Sequence, residues 1–417
     1  MLGRNRARLL VLGAFGAYFA LLSALGGYSR WSRLGVSSST TWFGDLRGVT
    51  SAWECTRRGI AVLPINPCDP FRRPANYPRL WLLPSHLGLG QGDTMALGFV
   101  VGAAFLAAAV MVVPQRATLG LGAAYAVFAC SPAAMLGVER GNVDLTLFAL
   151  VVFAVLVVRR GTGGLLVSAG SVLLAAVLKL FPIFSVGFLA RRSGRARAAA
   201  VAVVAVFGVY VLALFHQIRQ EVSAVPQSDL FAYGVRRVSE WISAAAGESV
   251  SRRLTSYRAW DVVLVVVALA VGVVLARRLA PPVRALSAGH ARDLDLFWAG
   301  ACVYVFTYPV ARSFDYQLVF LLPVVPQLVR WARSGSWFAT LTIATAVVVT
   351  WLDEWTRPPL LGRLLGWWDR TTQVGPDSLA LPVVVLAQLL LFVELVAWLV
   401  ATAPLPRRRS LPAGAPA

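Results

Sequence analysis

The sequence predicts an all-α polytopic membrane protein, and three features carry that prediction. Hydrophobic residues fill 58% of the 417 positions and charged residues 14%, with a mean hydropathy of +0.69; soluble domains do not combine these values. Apolar runs of roughly 17–25 residues recur along the whole chain, each long enough to cross a bilayer as a helix. Lipid offers no partner to a free backbone amide or carbonyl, so such runs must be helical. Arginines cluster between the runs, as topogenic charge does. A formal net charge of +20 could suit nucleic acid, but no single patch gathers it. Orientation and contact with anionic lipid account for it, so the expected partner is the bilayer and not nucleic acid.

The basic clusters order the elements. Leu9–Tyr28 leaves the cytoplasm after a basic start. Its flanks resemble a signal peptide, but its apolar part is long for one, so it reads as a retained first span. A large external loop, 29–92, follows. Thr94–Val113 returns, Leu119–Leu136 goes out and Asn142–Val158 comes back to Arg159 and Arg160. The next apolar stretch ends at Arg191–Arg197, and both basic clusters belong inside. Pro182 interrupts it and removes a helix hydrogen bond, which predicts a re-entrant hairpin of two half-helices with Lys179 near its apex. Ala198–His216 then goes out to a second external loop, 217–258, and Val262–Ala276 returns. Leu294–Pro309, Gln317–Val329, Phe338–Leu352 and Leu379–Ala401 complete about ten transmembrane helices, with both termini cytoplasmic. Residues 1–403 read as a single membrane domain and 404–417 as a disordered, proline-rich tail. There is no internal repeat.

The four cysteines divide by setting. Cys130 and Cys302 lie in apolar stretches and read as free core residues. Cys55 and Cys68 share the first external loop; outside the cytoplasm a disulfide is their natural state, worth about 3 kcal/mol for a loop of this length. No set of histidines, cysteines or carboxylates has metal-ligand spacing, so neither metal nor cofactor is expected.

Lys179 is the one lysine among 39 lysines and arginines, and it sits in an apolar run. Ionisable groups at membrane depth are costly and serve function by default; a lysine anchoring a helix end at the interface is the plain alternative. Other polar residues converge on the external face. These are Asp45 in TWFGDLRGVTSAWE, the segment NPCDPFRRPANYPRLW, the turn GVERGNVD and the turn YPVARSFDYQ. An isolated acid beside cationic and amide groups, next to lipid, suits group transfer from a lipid-linked phosphate to a hydroxyl. The carboxylate takes the hydroxyl proton, and Arg or Lys stabilises the leaving phosphate. Each residue also has a structural reading: Asp45, Asn142 and Asp144 as helix caps, Tyr77 and Trp81 as interface aromatics, Arg312 with Asp315 as an ion pair.

Four segments carry a resemblance: DLRGVTSAWECTRRGIAV, ANYPRLWLLP, GNVDLTLFAL with AAVLKLFPI, and SFDYQLVFLLP. In order, they resemble the polyprenyl-phosphate-sugar-dependent glycosyltransferases of the C-type superfold, in the bacterial cell-envelope branch of α-mannosyl- and arabinofuranosyltransferases. The resemblance runs from Asp45 to Pro323. It implies a multi-pass enzyme of the bacterial plasma membrane, with its site on the external face. A polyprenyl-phosphate sugar would be donor, and a glycan or glycolipid acceptor. Asp45 would be the general base, Lys179 with Arg140 or Arg312 would clamp the donor phosphate, and Tyr77, Asn142, Asp315 and Gln317 would bind substrate. The chain departs from the family pattern at Arg79, where a second proline is usual, and at Asn142, where glutamine is common. Tyr316 and Gln317 stand in place of histidines, and NPCDPFRRP is an insert. Tyr233 and Trp241 of the second external loop are expected near the acceptor.

Two other classes fit parts of this pattern. A transporter or lipid-carrier flippase would place discontinuous helices around a midplane site between repeats. A non-catalytic scaffold would leave Asp45 and Lys179 replaceable.

Overall fold

The computed structural model describes residues 5–24, 31, 36, 41–224, 232–238, 257–287, 290–310, 313–355 and 380–404. The protein is built of helices packed as a membrane bundle, as the hydropathy requires. Among the described residues, six helices are long and apolar enough to cross a membrane: α1 (Arg6–Ala24), α3 (Thr94–Val112, with a preceding 3₁₀ turn), α7 (Gly161–Leu178), α9 (Arg195–Ala213), α11 (Tyr257–Ser287) and α15 (Ala380–Thr402). A seventh span results if α4 (Leu119–Ala129) and α5 (Pro132–Arg140), bent by 55°, count as one. The bend falls at Ser131, whose hydroxyl caps α5 while Pro132 occupies its first turn.

The other expected crossings are shorter. α6 (Val143–Val157) has 15 residues, and α12 (Ala291–Thr307) has 17. Gln317–Val329, expected as a span, is a 3₁₀ helix from Asp315 to Val324 continuing into α13 (Val325–Arg333). α14 (Trp337–Trp355) is apolar only up to Trp351. The loop between α1 and α3, expected to be external, is itself structured, holding α2 (Gly44–Arg57) and the 3₁₀ helix Arg79–Leu87. Beyond helices there is a two-residue antiparallel ladder, β1 (Ala232–Tyr233) against β2 (Ser313–Phe314). Of the expected tail, 405–417 lies outside the described residues.

The hairpin has unequal arms rather than two half-helices. α7 runs 18 residues, about 27 Å at 1.5 Å per residue. The return is a 3₁₀ helix, Phe181–Val186, followed by the short α8 (Gly187–Ala190). Pro182 cannot donate to the Leu178 carbonyl four residues back. The indole of Trp81 takes that carbonyl instead, at 2.8 Å, and the Tyr210 hydroxyl takes the Val177 carbonyl at 3.3 Å. At the opposite end of α7, Arg159, Arg191 and Arg192 all reach the fully buried carboxylate of Asp295 on α12. The two flanks of the hairpin therefore lie at one end of the molecule, and Lys179 lies at the other.

Candidate active site

α2 starts abruptly. Phe43 precedes it in the left-handed region (φ 55°, ψ 44°), a conformation costing a bulky residue about 1–3 kcal/mol. Its buried ring and a hydrogen bond from its N–H to the Glu139 carbonyl (3.0 Å) hold it there. This entry puts Asp45 in the first turn of α2, where the helix dipole favours a carboxylate. Asp45 is not an N-cap.

The GVERGNVD turn supplies its partners. Arg140 ends α5, Gly141 turns the chain with φ 57°, and Asn142 caps α6. The Asn142 carbonyl oxygen accepts the Asp144 N–H at 2.9 Å, which leaves its amide to donate to Asp45 Oδ2 at 2.7 Å. Asp45 Oδ1 faces Arg140 Nη1 at 3.5 Å and Arg73 Nη1 at 3.6 Å. One carboxylate is thus fixed by an amide on one oxygen and two guanidinium groups on the other.

Lys179 ends α7 in an extended conformation, and its Nζ donates to Asp144 Oδ1 at 2.7 Å. The rings of Tyr77, Phe181 and Tyr316 surround the ammonium at 5.4–5.8 Å, within cation–π range. A chain of contacts therefore runs from Asp45 through Asn142 and Asp144 to Lys179, although 134 residues separate its ends in sequence.

Two cavities open onto this chain. The smaller, about 220 Å³, is lined by Asp45, Arg73, Asn76, Tyr77, Trp81 and Arg140, among others. The larger, about 470 Å³, has Lys179 and Gln317 at its polar end. Its walls are mostly apolar, including Phe184, Phe207, Val211 and Ile218. Asn76 and Tyr77 line both. Asp45 and Lys179 thus lie in adjoining cavities rather than one shared pocket, because Lys179 turns to Asp144 and the Tyr77 ring stands between. Burial, with Asp45 and Asp144 nearby, pushes the Tyr77 phenol well above its usual range, so it stays a neutral hydroxyl.

Other sequence expectations are met differently. Asn142 and Asp315 are fully buried and line neither cavity; Asn142 holds Asp45 rather than facing substrate. Tyr233 is also buried, its hydroxyl 2.7 Å from Thr307 Oγ1 and its ring stacked on Tyr304. It braces the cavity wall instead of lining it. From the segment 217–258, Ile218, Glu221 and Val222 of α10 (Phe215–Ser223) line the larger cavity. Arg312 and Trp241 lie outside the described residues. Cys55 and Cys68 are disulfide-bonded, and Cys130 and Cys302 are free and buried.

Three contributors escaped the sequence reading. Asp144 read as a helix cap and Trp81 as an interface aromatic, and both roles look alike in sequence. Arg73 is one of two adjacent arginines in a proline-rich loop, where no periodicity says which one turns inward.

No curated protein and no solved structure shows significant similarity to the chain. The model of glycosyltransferase family 87 matches residues 80–291, just over half of the 417. That stretch includes Arg140, Asn142, Asp144 and Lys179, and Asp45, Arg73 and Tyr77 precede it. The chain, a multi-pass membrane protein, belongs to glycosyltransferase family 87.

Proposed function

We propose that this glycosyltransferase moves a sugar from a polyprenyl-phosphate donor to a glycan or glycolipid of the bacterial cell envelope. Mannose is the first choice of sugar and arabinofuranose the second. The observation that carries this reading is the pairing of cavities: a charged one lined by the Asp45 carboxylate, beside a larger, mostly apolar one with the Lys179 ammonium in its lining. An isoprenoid phosphate sugar is such an object, with an apolar tail, one anionic link and a polar head.

In this reading the lipid lies along Phe207, Val211 and Ile218, and its phosphate meets Lys179. An ammonium has three donors and Asp144 uses one, so donors remain for phosphate oxygen. Arg140 adds a guanidinium on the side of the smaller cavity. The acceptor hydroxyl hydrogen-bonds Asp45. Its oxygen attacks the anomeric carbon as the carbon–oxygen bond to phosphate breaks, and the electron pair leaves on polyprenyl phosphate. The proton passes to Asp45, and one displacement inverts the anomeric centre. Asn142, Arg140 and Arg73 hold the carboxylate in place, and Lys179 stabilises the charge that grows on the leaving group. In this reading the Asp295 end faces the cytoplasm, the cavities open at the external face and both termini lie inside, which the basic flanks of the hairpin support. Residues 1–403 act as one unit, in which 29–92 and 217–258 are external.

A transporter would need a midplane site between repeats, whereas these cavities sit at the end of α7. The test uses purified protein in liposomes with labelled polyprenyl-phosphate mannose or arabinose and a panel of envelope glycolipids. Wild type should transfer label, and Asp45→Asn and Lys179→Ala should each lose well over tenfold with folding intact. Undiminished transfer by Asp45→Asn would exclude it as the base. Label crossing the bilayer without a new glycosidic bond would favour a flippase.

A further inference from the structure

The insert that carries Arg73 is built as a rigid clip. Asn66 Oδ1 accepts the Cys68 N–H at 3.1 Å, Asp69 Oδ2 accepts the Arg73 N–H at 3.0 Å, and the Asp69 carbonyl accepts the Arg72 N–H at 2.8 Å. Pro67 and Pro70 fix φ at two further positions. The Cys55–Cys68 disulfide, with Cα atoms 5.7 Å apart, fastens the clip to α2, the same helix that presents Asp45. Neither end of that link is free to move alone.

Within the clip the Arg73 guanidinium has no slack. The side chain of Asp69 is fully buried and takes Nε at 2.7 Å and Nη2 at 3.2 Å. Nη2 also donates to the Gly44 carbonyl at 2.6 Å, and the Phe71 ring lies 5.1 Å from Cζ. A side chain at Gly48 would place its Cβ 3.2 Å from Nη2, so this glycine gives the guanidinium room to lie against α2. What is left is Nη1, which stands 3.6 Å from Asp45 Oδ1 and lines the smaller cavity. Planar, forked guanidinium suits this double engagement, and a lysine would not reproduce it.

We propose that Asp69 and the Cys55–Cys68 disulfide set Arg73 over Asp45 as a positioning residue for the base, so that full activity requires the oxidised clip. This rests on the reading of Asp45 as base. The other charged and titratable groups around Asp45 are Arg140 with Glu139, Asp144 with Lys179, and the phenols of Tyr77 and Tyr316. Removing Arg73 frees one oxygen of the carboxylate from its clip, so the base is held less well against the acceptor hydroxyl and kcat falls.

The test measures initial rates against donor concentration, in liposomes, with whichever labelled polyprenyl-phosphate sugar the wild type accepts. Arg73→Gln should lower kcat on the order of tenfold to a hundredfold. KM for the donor should change little. Arg73→Lys should restore part of the lost kcat. Asp69→Asn should act in the same direction but less, and adding it to Arg73→Gln should cost nothing further, because the two act as a unit. Reductant should bring the wild type toward Asp69→Asn and leave a Cys55→Ser, Cys68→Ser double variant unchanged. Full kcat in Arg73→Gln overturns the proposal. So does a donor KM that rises as much as kcat falls, together with a lower melting temperature, which would make Arg73 merely structural. Transfer surviving Asp45→Asn would instead overturn the underlying reading, so the two failures are distinguishable.

Discussion

Asn142 offers the sharpest single perturbation, because its two ends do separable work. The carbonyl oxygen caps α6 through the Asp144 N–H at 2.9 Å, and the amide holds Asp45 Oδ2 at 2.7 Å. Serine is also a good N-cap, so Asn142→Ser keeps the first function to within a few tenths of a kcal/mol and removes the second. A hydrogen bond to a charged acceptor is worth about 1.5–3 kcal/mol. At 1.36 kcal/mol per tenfold in rate, loss of a bond needed in the transition state gives about a 10- to 150-fold fall in kcat. Asn142→Ala should show the same fall in rate plus about 1 kcal/mol of lost stability from the missing cap. Steady-state transfer in liposomes and melting in detergent, run on both variants, resolve the two effects. Wild-type kcat in Asn142→Ser would refute the claim that the amide orients the base. Equal destabilisation of both variants would refute the division of labour.

Further expectations follow from the contacts around this centre. Trp81→Phe strands the Leu178 carbonyl that Pro182 cannot serve; an unsatisfied group costs about 1–3 kcal/mol, and a lower melting temperature with a raised donor KM should follow. An unchanged melting temperature would mean that water replaces the indole. Asp295→Ala leaves Arg159, Arg191 and Arg192 without their shared carboxylate, and breaking a buried ion pair costs about 3–5 kcal/mol. Thermal unfolding of the solubilised protein measures this, and a loss under 1 kcal/mol would show those arginines to be held mainly by other partners. For orientation, single cysteines at 160 and 194 should label with an impermeant reagent from the cytoplasmic side only, and one at 45 from outside only. Labelling of 160 and 194 from opposite sides would contradict the hairpin.

Much of the architecture was legible because hydropathy reports the quantity a bilayer imposes most directly, apolar length. Pro182 between two basic clusters was enough to place a hairpin with Lys179 at its apex. Span counting went less well. The apolar run after Asp315 reads as a crossing, but it winds as a 3₁₀ helix of ten residues, and Ser131–Pro132 bends what looks like one helix into two. Apolar content alone does not distinguish these from straight spans. At the site, ionisable residues beside apolar segments stood out, which singled out Asp45, Arg140 and Lys179. Direction did not. Asn142 and Asp315 are polar in sequence, yet both are buried and neither lines a cavity, and only packing decides that. Asp144 was equally hard to read, since a capping acid and a lysine's buried counter-ion look identical until α7 is folded back over α6.

The central claim is that one amphiphile lies across both cavities, its phosphate at Lys179 and its tail in the apolar one. Photocrosslinking with a polyprenyl phosphate carrying a diazirine on its second isoprene unit, followed by peptide mass spectrometry, tests this directly. Label should concentrate on residues 207–222, at Phe207, Val211, Ile218 or Val222, and competing unlabelled lipid phosphate should suppress it. Label spread over the outer faces of α1 and α15, or unaffected by competitor, would contradict the account.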